Sequence, residues 1–170
     1  LILFPGRSCL IRAQARVRAR HAVDEHEARP PEGFKLYETR DGRFSERVGP
    51  YFLKGRGTDL VMGFRVLEHH ANRNGVAHGG ALMAFADTLL GNVAARAADY
   101  IAATATLNTS FLRPAQVGAW VEGHAEVLKA GKRAIFVRCA LTADGELAFT
   151  AEGIWQRITP GGQPNRPNPR

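Results

Sequence analysis

Asn72-Arg73-Asn74-Gly75-Val76-Ala77-His78-Gly79-Gly80 runs directly into eighteen mostly apolar residues, 81–98, and these two pieces decide the fold. Asn74-Gly75 is a turn signal and Gly79-Gly80 carries little steric cover, so the first piece reads as a loop. The second is long, rich in Ala and Leu and free of Pro, and reads as a helix. Asp87, Asn92 and Arg96 interrupt it. Charges there are costly in lipid, so a membrane span is rejected. A helix apolar nearly all round is more simply one wrapped by a sheet.

The flanking sequence supplies that sheet. Residues 60–67 alternate enough to form a strand, and after the helix come strand-like runs at 104–112, 119–128, 133–142 and 147–158. A short helix is expected near residues 44–52. Pro114 and Gly118, Gly131, and Asp144-Gly145 mark the connections, which are short and have turn chemistry. Consecutive strands should therefore be antiparallel neighbours. The fold class is α+β, an antiparallel sheet wrapped around one long central helix.

Outward from this body, at 34–158, the chain changes character. The net charge of +7 suggests nucleic acid until it is mapped. Residues 1–23 hold five arginines and no acid, and the tail from 159 adds two more, so the middle is close to neutral. A duplex-binding domain needs a basic face on its folded part, and no nucleic-acid partner is expected. Residues 1–33 are read as a basic, flexible extension ending at Pro30-Pro31. Residues 159–170, with four prolines and two glycines, are read as a loose tail. The Arg-rich start is superficially like a transit peptide, but its apolar residues precede the arginines, the reverse of a secretory signal. Cys9 and Cys139 make no disulfide framework and no zinc pattern, so a reducing, cytoplasmic setting is the default.

Asp87 is the residue that does not fit. At 100° per residue Thr88, Asn92 and Arg96 share one stripe, the expected solvent edge, and Asp87 points about 180° away from Arg96. Its neighbours on that face are Gly80, Met83, Ala84, Gly91 and Ala94. A carboxylate among small and apolar residues carries a desolvation cost unless partners offset it. Ion pairing or loop capping is the plainer account, and catalysis the sharper one. Gly79 and Gly80 expose N–H groups where a helix start leaves donors unsatisfied and the macrodipole positive, which suits a polarised carbonyl or oxyanion. Asn72 and His78 either add donors or hold the loop in shape.

The spacing Asn-x-x-Gly-x-x-His-Gly-Gly, with an Asp nine residues after the His, resembles the PaaI-like branch of hotdog-fold acyl-CoA thioesterases. The later stretch Leu107-Asn108-Thr109-Ser110-Phe111-Leu112-Arg113-Pro114-Ala115, then Gly118, is similar to that family's strand after the helix. The resemblance covers about residues 60–158. It implies an acyl-CoA substrate, no cofactor, no metal, and a homodimer or homotetramer with active sites between subunits. By the same resemblance Asp87 is general base or nucleophile, and Gly79 supplies the N–H that polarises the thioester carbonyl. Asn72 and His78 assist, and Thr104 stands where a relative's serine orients water. Asp87 would then face Asn72 and Gly79 of a second subunit. Gly80, Arg113, Lys132 and Arg133 are candidate contacts for coenzyme A, with Lys129 nearby. Phe85, Met83, Phe111 and Trp120 line an acyl tunnel or pack the core.

Other templates fail. There is no Gly-x-Ser-x-Gly elbow, and Gly131-Lys132 lacks the rest of a phosphate loop. His69, His70 and His78 form no metal spacing, and His69-His70 is read as a strand end. Two alternatives stay open: a hotdog module that binds acyl-CoA without cleaving it, and a hotdog hydratase.

Overall fold

The structure, a computed structural model, describes residues 28–38, 44–98 and 102–158; most of the basic extension and the tail from 159 lie outside the described residues. In chain order the elements are β1 (Lys35–Leu36), α1 (Phe44–Val48), β2 (Phe52–Lys54), β3 (Val61–Arg65), a 3-10 turn (Glu68–His70) and α2 (Gly79–Ala98). Then come β4 (Ala102–Phe111), β5 (Trp120–Ala130), β6 (Ala134–Ala143) and β7 (Glu146–Arg157). The expected strand around residues 60–67, the long helix and the four later strands are all present, and the short helix near 44 is a single turn leading to β2.

All seven strands form one sheet in the order β1-β2-β3-β5-β6-β7-β4, with every pair antiparallel. The two hairpins β5–β6 and β6–β7 follow from their turns. Asp144 and Gly145 both take positive φ, 48° and 87°, as a two-residue primed turn requires. The expectation that all consecutive strands are neighbours fails at one place. β4 pairs only with β7, at the sheet edge, while β5 lies between β3 and β6. Residues 112–119 cross the end of the β6–β7 hairpin instead of turning back. Three strand spacings amount to about 14 Å, within the roughly 26 Å that eight residues can reach. Backbone bonds hold the crossing: Leu112 N–H and Arg113 N–H donate to Ala148 O, Ala77 N–H donates to Ala115 O, and Gly118 N–H donates to Val66 O.

One face of the sheet wraps α2. Phe85, Ala86, Leu89, Leu90 and Val93 are fully buried against Met62, Phe64, Val121, Ile135, Leu141, Phe149 and Trp155. Each large side chain among them contributes roughly 1.5–3 kcal/mol on burial. Glycine at 123 allows the approach, since a Cβ there would lie 2.6 Å from Leu89 Cδ2. Strand alternation sends Trp120 to the other face, where it packs with Ala28, Phe34, Phe52 and Leu67. Packing thus reaches back to Ala28, before the Pro30-Pro31 pair.

The helix faces differ from expectation. Thr88, Asn92 and Arg96, read as the solvent edge, are half-buried. Tyr37, following β1, reaches over them: Asn92 Nδ2 donates to the Tyr37 hydroxyl at 3.0 Å, and Arg96 Nη1 donates to Asn92 Oδ1 at 2.9 Å. The strip Gly80, Met83 is exposed and Asp87 half-buried, so the first half of the small-residue face is open, whereas Ala94 further along it is buried. The cause is the sheet's extent, since it ends at β4 and leaves that side of α2 uncovered. Among the described residues no helix is long and apolar enough to cross a membrane.

Candidate active site

The loop before α2 is a small hairpin. Ala71 and Ala77 bridge across it, Asn72 N–H donates to Val76 O and Gly75 N–H to Asn72 O. The Asn72 side chain closes the turn by accepting Asn74 N–H at 2.8 Å, so it shapes the loop. At the base, His78 N–H donates to His70 O at 2.7 Å.

His78 then caps the helix. Its carbonyl accepts Ala81 N–H at 2.8 Å, and its Nδ1 accepts Gly80 N–H at 2.9 Å, which leaves the proton of a neutral ring on Nε2. Of the first three N–H groups of α2, those of Gly80 and Ala81 are thus engaged. Gly79 N–H has no partner among the described residues. It is a free donor at the positive end of a twenty-residue helix. Gly79 is closely covered by Phe111: a Cβ on it would meet Phe111 Cε1 at 3.0 Å, so the exposed ring would have to shift.

Two turns along α2, Thr104 Oγ1 donates to Asp87 Oδ1 at 2.7 Å. Oδ2 has no partner among the described residues. A β-bulge makes this pair. Thr104 is opposite Trp155 and Thr106 opposite Ile154, so Ala105 is the extra residue. Before it Ala102 and Thr104 face the helix, and after it Leu107 and Phe111 do; unbroken alternation would turn Thr104 away.

The remaining predicted residues are dispersed. Gly80 N–H is taken by His78. Arg113 is exposed near the N-terminus of α2 and pairs with Glu146 at 3.4 Å. Lys132 and Arg133 lie exposed in the β5–β6 turn at the other end of the sheet, where Arg157 N–H donates to Arg133 O. One chain therefore does not gather these three cations. Phe85 is core and Trp120 packs the outer face, whereas Met83 and Phe111 are exposed. Cys139 is buried, and burial pushes its thiol up to about 12, which removes it as a nucleophile. A cleft of about 740 Å³ opens on the outer face, lined by Asn108, His124, Glu126, Arg138 and Glu152 among others. It is on the far side of the sheet from α2, and of the residues above only the inert Cys139 lines it. No cluster of three or more metal-ligating side chains occurs among the described residues.

Sequence reading missed His70. It does not merely end a strand: it is 3% exposed, the one buried polar side chain among the described residues. Its Nδ1 accepts Leu67 N–H at 2.9 Å, and its Nε2 lies 2.8 Å from Val48 O, to which it donates. Burial above all, with His69 beside it, lowers its pKa from 6.5 to about 4. The only sequence signal was its place eight residues before His78, across the hairpin.

Comparison with known proteins agrees with this fold. The sequence model of the Thioesterase superfamily matches residues 74–149. A Pseudomonas aeruginosa protein named "Putative esterase PA0474" is 35% identical over 129 residues, covering 74% of this chain and 95% of that one. A mutant of the phenylacetic acid degradation protein PaaI from Thermus thermophilus superposes with a TM-score of 0.62 at 25% identity, covering 68% of this chain and 98% of its own. A hypothetical thioesterase protein with coenzyme A from Streptococcus pneumoniae shares the fold, with a TM-score of 0.61 at 18% identity, covering 64% of this chain and 85% of its own.

Proposed function

The chain belongs to the Thioesterase superfamily and is a thioester hydrolase with a PaaI-like hotdog fold; from that premise we propose that it hydrolyses an acyl-CoA between two copies of itself, with Asp87 as the catalytic carboxylate. The observation that carries this reading is the pair of unsatisfied groups on one helix, the Gly79 N–H and the Asp87 carboxylate already oriented by Thr104. The presence of coenzyme A with a protein of the same fold supports the choice of thioester.

The second copy follows from distance. Gly79 and Asp87 are eight residues apart on α2, about 12 Å at 1.5 Å per residue. Groups acting on one carbonyl must both come within roughly 3–3.5 Å of it. The two groups of one chain therefore do not share a thioester, and the Gly79 N–H of a second chain supplies the missing donor. β4 supports this arrangement, since it is a ten-residue edge strand with mostly exposed side chains. Such an edge is a template for pairing with another chain. A two-fold setting Asp87 against the second Gly79 passes near Met83 on the helix. Because Asp87 contacts Thr104 and Gly79 contacts Phe111, the same axis crosses β4 near Leu107 and Asn108.

In this site the thioester carbonyl oxygen accepts the Gly79 N–H of one chain. Asp87 Oδ2 of the other takes a proton from water, whose oxygen attacks the carbonyl carbon. The tetrahedral intermediate collapses with cleavage of the C–S bond, and the thiolate leaves, taking up the proton held by Asp87. The alternative, attack by Asp87 itself through an anhydride, uses the same groups. Lys132 and Arg133 of the Asp87 chain and Arg113 of the other lie at the ends such pairing brings together, and these are the cations we assign to the coenzyme A phosphates.

The test is free-thiol release from a panel of acyl-CoAs by wild type beside Asp87→Ala, with size and circular dichroism checked on both. Release by wild type that collapses in the variant supports the reading. Equal release removes Asp87 from the mechanism, and binding without release by wild type makes the chain an acyl-CoA binder instead.

A further inference from the structure

We propose that His70 is a positioning residue for the reaction, holding the Gly79 N–H where the thioester carbonyl must sit. The inference rests on the role given to that N–H above. Gly79 opens α2, and on its loop side its free N–H and missing side chain give it no contact of its own. On that side it is placed by the hairpin 71–78, and the bond that closes the base of the hairpin next to Gly79 is His78 N–H to His70 O at 2.7 Å. The Ala115 and Gln116 contacts brace its other side.

His70 is anchored in a way no other described residue of the loop is. Its two ring nitrogens bind groups from different parts of the chain: Leu67 N–H at 2.9 Å, where the 3-10 turn begins, and Val48 O at 2.8 Å, at the end of α1. Its ring lies edge-on to Phe64 at 5.0 Å, and Phe64 in turn packs against Phe85 of α2 at 4.8 Å. The base of the hairpin is thereby tied to the helix it leads into. A rigid planar ring with a donor at one end and an acceptor at the other meets both partners with few rotamers to lose. The groups facing it are His69, whose ring is 3.9 Å away and whose Nε2 lies 2.9 Å from Gly49 O, and the main chain of Leu67, Val48, Gly49 and Arg65. None of them is a catalytic group, so His70 acts only through His78 and Gly79.

The experiment compares His70→Asn, which retains an acceptor near Nδ1, and His70→Gln, which retains a donor near Nε2, with Val137→Ala, a core variant in β6 chosen for a similar loss of melting temperature. A displaced catalytic group slows the chemical step by about ten- to a hundredfold. The expected result is that fall in kcat for both His70 variants with KM within about twofold, and no such fall for Val137→Ala. Faster amide exchange at Gly75, Ala77 and His78 in the His70 variants alone is the accompanying signature. Full kcat in the His70 variants beside an impaired Gly79→Pro overturns the positioning role and leaves the thioesterase site standing. Full activity in Gly79→Pro overturns the use of that N–H, and the positioning role with it.

Discussion

Replacing Gly79 by proline removes one hydrogen atom from the proposed chemistry and little else. Gly79 is the first residue of α2, where proline is well tolerated because the N–H there has no helical partner. The bonds that cap the helix come from Gly80 N–H and Ala81 N–H, and both survive the change. The added carbon is not neutral, since a Cβ at 79 approaches Phe111 Cε1 to 3.0 Å and Cζ to 3.2 Å. Phe111 is 53% exposed and can yield. Gly79→Ala brings the same Cβ and keeps the N–H, so the ratio of the two variants isolates the donor. Losing one oxyanion donor costs about 2.7–4 kcal/mol, or a hundred- to a thousandfold in kcat. We expect Gly79→Ala to remain within about tenfold of wild type, and Gly79→Pro to fall a further hundredfold or more with KM little changed. The assay is thiol release at saturating acyl-CoA, beside melting curves for all three proteins. Equal kcat in the alanine and proline variants would exclude the Gly79 N–H as the donor to the thioester carbonyl.

Three other perturbations test separate parts of the site. Thr104→Ala removes the donor to Asp87 Oδ1; a hydrogen bond to a charged group is worth roughly 1.5–3 kcal/mol, and exposure puts the loss at the low end, about tenfold in kcat, with Thr104→Ser restoring it. Mixing an inactive Asp87→Ala chain with an inactive Gly79→Pro chain and re-equilibrating should recover activity, because mixed pairs keep one intact site; no recovery despite proven subunit exchange argues for a site within one chain. Stability should fall in acid through His70: folded, its pKa is about 4 against 6.5 unfolded, so the unfolded chain binds the proton first as pH drops. The contribution is complete above pH 6.5, shrinks through the window down to about 4 and is gone below it, about 3 kcal/mol at 1.36 kcal/mol per unit. Denaturant titrations at several pH values should show a shallower slope across that window in His70→Asn, and an unchanged slope would count against His70 as the source.

The elements were legible because their signals are local. Period and composition mark α2 from residue 81 onward, and the Gly79-Gly80 pair before it turns out to belong to the helix itself. Asp144-Gly145 names its own hairpin. The strand order was not legible, because residues 112–119 have the composition of a turn and only packing reveals them as a crossing past β6 and β7. Asp87 stood out as a carboxylate on a face of small residues, yet its surroundings were misjudged. The first half of that face is open, since helical periodicity tells which residues share a side and not which side the sheet covers. Thr104 could be matched only through Pro114. Its contact with Asp87 depends on the extra residue at Ala105, which leaves no mark in a run of Ala and Thr. His70 was hidden for a related reason: a histidine beside a strand end is unremarkable in sequence, and nothing in its neighbours announces that both ring nitrogens are used.

The two halves of the proposed chemistry are placed by different physical means, and that difference bears on how the site works. Asp87 and Thr104 sit on regular elements, a helix and a bulged strand, and their contact is closed within one chain at 2.7 Å. Gly79 is the junction of helix and loop, so its N–H is set by the first turn of α2 on one side and by the hairpin anchored at His70 and braced at Ala115 and Gln116 on the other. Both halves end on the side of α2 that the sheet leaves uncovered, next to an edge strand whose hydrogen-bonding groups face outward. Covering that side with a second copy satisfies the strand and buries Met83. It also brings the carboxylate within reach of the free N–H. Pairing and catalysis then depend on the same surface. A substitution near the axis at Leu107 or Asn108 that separates the chains should abolish hydrolysis while leaving the Asp87–Thr104 pair intact in each monomer. A fully active monomer would mean that the Gly79 N–H of a second chain is not needed.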